Sequence, residues 1–235
     1  MLRRRRNQDD DQGWAEPGGD GPEEPEFGGP WDVTDNVPET ERIDFGSLRV
    51  PVREGFEVQV SMAEDQPAWV TVVRGDSGLQ LQAFAAPKTG GLWADVRAEI
   101  ADEVAKAGGE SEEADGPFGV EVRAQIAAPG PAGPGAAGGR HPVRFLGVDG
   151  PRWFLRGVIS GPAAARDDIA GLLEEVFADV VVVRGEHPVP PRDLLEIRLP
   201  EEALQALAEE AEEAEGNPWG GADPFDRGPE ITETR

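Results

Sequence analysis

The stretch VRFLGVDGPRWFLRGVISG, Val143 to Gly161, decides the fold. Alternating apolar residues flank Asp149-Gly150, a pair suited to the positive dihedrals of a tight two-residue turn, so an antiparallel hairpin is predicted over 143–160. In that register Gly147 faces Arg152, Phe145 faces Phe154 and Val143 faces Arg156, while Leu146 with Trp153 and Arg144 with Leu155 form the opposite face. Trp153, Leu155 and Ile159 make the second face the side on which helices pack. The first carries Arg152 and Arg156 around the aromatic pair Phe145 and Phe154. Guanidinium groups beside aromatics suit a carboxylate, a phosphate or an acidic peptide. The plainer reading lays their stems over the sheet and pairs their heads with carboxylates such as Glu121 or the acidic flanks. Arg144, on the packing face, is expected to reach past the sheet edge to Glu174 or Glu175.

Upstream, LRVPV, FEVQVSM, AWVTVVRG and SGLQLQAFAAP read as short strands with period-2 spacing and turn residues between them. The spacing then becomes helical: Leu92, Trp93, Val96, Ile100 and Val104 recur on one stripe, and Gly108-Gly109 end it. An acidic loop and the strand PFGVEVRAQIAA follow, then the Gly/Pro/Ala-rich loop 128–140 that leads into the hairpin. A second helix is expected from Arg166 to Asp179, carrying Ile169, Leu172, Leu173, Val176, Phe177 and Val180 on one face. VVVVR reads as a buried strand or helix exit and LLEIRLP as a last extended piece. Strands outnumber helices and short turns join them. The expected fold is α+β, a largely antiparallel sheet with both amphipathic helices packed on one face.

Composition divides the chain. Lys and Arg number 22 against 47 Asp and Glu, a net charge of −25, and 11 of the acidic residues fall in 1–40 and 11 in 201–235. Those flanks are rich in Gly, Pro, Asp and Glu, and such segments bury too little apolar area to offset the chain entropy lost on folding. The expected organisation is a disordered acidic tail over 1–40, one α+β domain over 41–200, and a second acidic tail over 201–235. Within the last, EEALQALAEEAEEAE (201–215) has helical propensity but only a thin Leu204/Leu207 stripe. Three of the six tryptophans, Trp14, Trp31 and Trp219, lie in these flanks. Large aromatics in acidic segments either anchor a partner or fold back on their own domain.

Several chemistries are excluded or disfavoured. There are no cysteines, which removes disulfides, thiolate catalysis and Cys-type zinc sites, and His141 and His187 alone cannot build a metal centre. Arg3–Arg6 is followed by Asn7-Gln8-Asp9-Asp10-Asp11 rather than an apolar run, so no signal peptide is read, and no apolar run long enough for a span occurs. The expectation is a cytoplasmic protein that avoids membranes and nucleic acid, because so negative a chain repels phosphate. Gly75-Asp76-Ser77-Gly78 spells the tetrapeptide around the serine of trypsin-like proteases, but both histidines follow it where that family has its base first; a hairpin turn is the better reading. Pro87-Lys88-Thr89-Gly90-Gly91 precedes a helix and so invites a phosphate, yet lacks the order of a P-loop. The run Glu110-Ser111-Glu112-Glu113-Ala114-Asp115 lacks the ligand spacing of a calcium loop.

FGSLRVPV, GLQLQAFAAPKTGGLWADVRAEIADEV, GPFGVEVRA, PVRFLGVDGPRWFLRGVISG and LEEVFADVVVVRGEHPVPPRD together resemble a family of actinobacterial proteins catalogued as a domain of unknown function. The resemblance spans about residues 43–200. It implies no activity, cofactor or site, and only a housekeeping context, since genes of the family often neighbour that of deoxyuridine triphosphate nucleotidohydrolase. The order of elements is similar to PsbP-like folds, which serve as assembly or binding modules, an analogy of fold alone. The expectation is therefore a non-enzymatic interaction or regulatory module that needs no cofactor and no metal and binds protein partners. The alternative is a small-anion binder or enzyme using the Arg152/Arg156 face, and a third reading is a nucleic-acid-associated factor acting through Arg3–Arg6.

Overall fold

The structure is a computed structural model that describes residues 28–63, 66–127 and 140–200. Its central element is a seven-stranded antiparallel sheet. The strands β4 (Glu57–Ala63), β5 (Gln66–Arg74), β6 (Ser77–Ala85), β10 (Trp153–Ser160), β9 (Arg140–Gly150), β8 (Gly119–Ala127) and β7 (Glu110–Gly116) follow one another across it. A smaller sheet orders β1 (Trp31–Asp32), β11 (Val181–Val182), β3 (Leu48–Pro51) and β2 (Arg42–Asp44), with β1 and β11 parallel. Helices α1 (Leu92–Lys106) and α2 (Asp167–Ala178) complete the fold, the latter entered through a 3₁₀ turn at Gly161–Ala164. The α+β class and the mostly antiparallel pairing are as the sequence predicts.

The two helices do not share a face, however. Along β10 the side chains of Trp153, Leu155 and Ile159 join Leu79 and Leu81 of β6 beneath Leu173, Val176 and Phe177 of α2, and the small sheet adds Leu48, Val50 and Val182 to this core. Phe154 points the other way and stacks with Phe84 (5.8 Å) and with Trp93 of α1 (5.7 Å). Two glycines allow these approaches. A Cβ on Gly147 would lie 2.3 Å from the Trp93 ring, and one on Gly157 would lie 2.8 Å from Phe177. The one-face expectation failed because Trp153-Phe154-Leu155 is apolar on both sides of the strand, the mark of a strand covered twice.

Two boundaries also differ. Residues 30–33, expected in the tail, belong to the fold: Trp31 N–H donates to the Val180 carbonyl (2.9 Å), and buried Asp32 accepts the Trp153 indole N–H (2.6 Å). Glu110–Gly116, expected to begin as a loop, is the edge strand β7, which forms by backbone pairing with β8 and leaves its carboxylates in solvent. The Gly/Pro/Ala-rich loop, apart from Arg140, and the segment 201–235 lie outside the described residues. Where β5 stops pairing with β6 at Val70–Leu81, residues 192–195 take over its edge: Ala85 N–H donates to Asp193 (2.9 Å) and Leu195 N–H to Ala83 (2.9 Å). Ile197 then pairs with Gly46, tying the large sheet to the small one.

Candidate functional site

The β9–β10 hairpin does not turn at Asp149-Gly150. Gly150 pairs with Trp153, Asp149 with Phe154, Gly147 with Arg156 and Phe145 with Val158, so the turn residues are Pro151 and Arg152, the latter at φ 64°. A proline followed by a residue of positive φ is the requirement of a type II turn, and it overrides the Asp-Gly signal. The shift is even, so Arg156, Phe154 and Phe145 keep the face expected of them, while Arg152 leaves the sheet for an exposed turn. Arg152 therefore does not share the sheet face with Arg156 as expected.

The shift gives Asp149 a different task. Its carboxylate accepts the backbone N–H groups of Leu92 (3.0 Å) and Trp93 (3.2 Å), capping α1 from outside the helix. The Lys88-Thr89-Gly90-Gly91 helix start, the candidate phosphate cradle, thus already holds an anionic oxygen of the chain itself. Asp149→Ala is expected to cost about 1 kcal/mol, read from the urea midpoint at unchanged slope. Ser77, in the candidate protease tetrapeptide, opens β6 just after the Gly75-Asp76 turn, where its buried hydroxyl accepts the Ala163 N–H (3.1 Å).

Arg156 stands on the α1 side of the sheet. Its guanidinium lies over the Phe84 ring, 5.3 Å from the centroid, and donates to the Gln82 side-chain oxygen. Its Nε is buried and makes no hydrogen bond, and no carboxylate lies within 4.0 Å of it among the described residues. Burial pulls its pKa below the ordinary arginine value, opposed by the charge of Glu103.

The opposite face holds a buried ionic cluster. Arg144, whose side chain is 2% exposed, donates through Nε and Nη2 to the two oxygens of Glu121 (2.9 and 2.8 Å) and through Nη2 to Glu174 (2.6 Å). Arg123, directly across from Arg144 on β8, bonds Glu121 (2.7 Å) and reaches Asp167 (3.4 Å). The expected contact with Glu174 is present, but beneath α2 rather than past the sheet edge. Glu121 belongs to Arg144 and Arg123, not to the arginines of the other face; its place on the polar phase of β8 was the available signal. Burial pushes the Glu174 carboxyl above its ordinary value despite the pull of Arg144. A raised acid pKa adds stability below the unfolded value that is lost as pH rises through the folded one. Wild type is therefore expected to lose stability relative to Glu174→Gln as pH rises upward from about 4.5, measured by thermal unfolding across that range.

Arg123 also lines a groove of about 480 Å³ between β7–β9 and the start of α2. Glu110 and Glu112 form one wall, Pro142, Ala164 and Ala165 supply apolar surface, and Arg140 lies on Glu110 at 2.7 Å. Of the tail tryptophans, Trp31 folds onto its own domain beside Arg53 and Asp179, whereas Trp14 and Trp219 lie outside the described residues.

Residues 29–206 match the family described as "Protein of unknown function (DUF3710)". The chain belongs to that family. The match begins at the residue that leads into β1, which agrees with the structural rather than the compositional boundary. No curated protein matches the sequence. The solution structure of cyanobacterial PsbP (CyanoP) from Synechocystis sp. PCC 6803 is similar over 66% of this chain and 99% of that one, at 13% identity and a TM-score of 0.38. A likeness at that level bears on no functional question. No helix of the described residues is long and apolar enough to cross a membrane.

Proposed function

We propose that the protein is a non-catalytic, cytoplasmic interaction module whose groove behind β7 receives a basic, extended segment of a partner protein. The observation that carries this reading is the groove's lining, two carboxylates of an edge strand set above an alanine and proline floor. A lysine or arginine lays its stem on such a floor and its head on the carboxylates, and Arg140 on Glu110 is an internal example of the contact. The net charge of −25 steers basic surfaces toward it. The small-anion reading rests on a sheet face that carries both Arg152 and Arg156, and it is less favoured because Arg152 lies in the exposed hairpin turn.

The test compares immobilised full-length protein with the Glu110→Lys/Glu112→Lys variant in native lysate at low salt. A stoichiometric protein that elutes as salt rises and is missing from the variant supports the reading. Identical retention by both proteins overturns it.

A further inference from the structure

One half of the central sheet is covered on a single side. Helix α1 lies against β7, β8 and β9. On the same side of β4, β5, β6 and β10, Glu57 and Gln59 are exposed and the side chains of Trp69, Thr71, Val73, Gln80 and Val158 are partly exposed. Their neighbours on the opposite face, Val70, Val72, Leu79 and Leu81, are at 0% exposure. The half-face is not a simple solvated surface, because it mixes a tryptophan and valines with Arg156, whose buried Nε points at no acceptor.

We propose that the chain's own segment 201–215, EEALQALAEEAEEAE, docks as a helix across this half-face, setting Leu204 and Leu207 on Trp69, Val73 and Val158 and a glutamate against Arg156. Among the described residues no carboxylate lies within 4.0 Å of Arg156, Glu103 acting on it only from farther away, and seven of the fifteen residues of the segment are glutamate. The reach is sufficient. Leu194 is bridged to Phe84 of β6 and Ile197 to Gly46, and the seven residues after Leu194, at most about 3.5 Å each, keep Glu201 within roughly 25 Å of β6. A fifteen-residue helix is about 22 Å long and crosses β4, β5, β6 and β10, whose outer members lie about 14 Å apart, with its ends extending past them. Leu204, Leu207, Ala208 and Ala211 share one helical side, and the family match continues to residue 206, past the last described residue. The stripe is too thin to hold a helix alone, which is why it needs the sheet. This inference stands apart from the β7 groove, on the other face.

The chain has no cysteine, so a single nitroxide label is placed on full-length Gln205→Cys, on the polar side of the segment. Amide NMR signals of Thr71, Gln80 and Val158 are expected to fall severalfold relative to the reduced label. Adding Leu204→Ser/Leu207→Ser is expected to restore them, and Arg156→Gln to restore them in part, with the remaining spectrum reporting that the fold is intact. Broadening that is absent, or that falls on Glu110 and Gln125 instead, overturns the proposal. So does broadening that disappears on dilution with unlabelled protein, which assigns the face to a second copy.

Discussion

Arg144→Ala is expected to cost the fold about 3–5 kcal/mol, among the largest single effects available in this domain. The substitution leaves Glu121, 2% exposed, and Glu174, 12% exposed, side by side beneath α2 without the cation that both contact. Arg123 still reaches Glu121 but has no contact with Glu174, so one carboxylate is left uncompensated. Urea unfolding followed by circular dichroism measures the loss. Arg144→Lys is expected to recover only part of it, because an ammonium cannot make the two-pronged contact with Glu121. Replacing Arg144, Glu121 and Glu174 together by methionine and leucines is expected to be near neutral or stabilising, since desolvating three charges offsets most of their attraction. A single Arg144→Ala loss below about 1 kcal/mol contradicts the view that this cluster is dry.

The second large effect concerns where the domain begins. A chain starting at Asn36 lacks β1, and with it the Asp32 carboxylate that accepts the Trp153 indole N–H. Trp153 is 1% exposed, so its donor is left buried without an acceptor, a penalty of about 1–3 kcal/mol by itself. The parallel β1–β11 pair is lost too, including the bond from Val33 to Val182 (3.1 Å). The combined loss is expected to be at least about 3 kcal/mol, whereas removing only residues 1–27 leaves the midpoint within about 0.5 kcal/mol. Acid adds a check. Burial works to raise the Asp32 pKa, but hydrogen bonds from Thr34 and Trp153 hold it below the ordinary value. Its contribution is present above the unfolded value near about 3.9 and is lost as pH falls through the folded one, so Asp32→Asn flattens the acid limb of the stability curve.

Strand identity was legible because period-2 spacing survives in each of LRVPV, FEVQVSM, AWVTVVRG and SGLQLQAFAAP, and both helices were legible from their single stripes. The hairpin register was not, because Asp149-Gly150 and Pro151-Arg152 are competing turn signals two residues apart, and the fixed dihedral of proline prevails. Strand β7 was hidden because pairing with β8 is a backbone event that glutamates do not advertise. The helix placement was written in the sequence as the two-sided apolar run Trp153-Phe154-Leu155, but a stripe on a helix does not say which side of a sheet receives it. At the candidate site, Glu110 and Glu112 were visible as carboxylates. Their role as a wall beside Ala164 and Ala165 depends on contacts across more than fifty residues of chain.

Among the described residues the two faces of the central sheet carry unequal cores, 22 buried residues on the α2 side and eight on the α1 side. Amide hydrogen exchange follows the free energy of the smallest opening that frees a given bond, and releasing α1 exposes far less apolar surface than separating α2 from the sheet. The molecule is therefore expected to unfold in two tiers. The amides of Val96 to Val104 are expected to exchange through a partial opening in which α1 lifts from Phe154, and those of Leu81 and Leu155 only on global unfolding. In that first tier the sheet loses its cover on one side while the other core stays shut, so the α1 side is where the fold first becomes vulnerable to a protease or accessible to a chaperone.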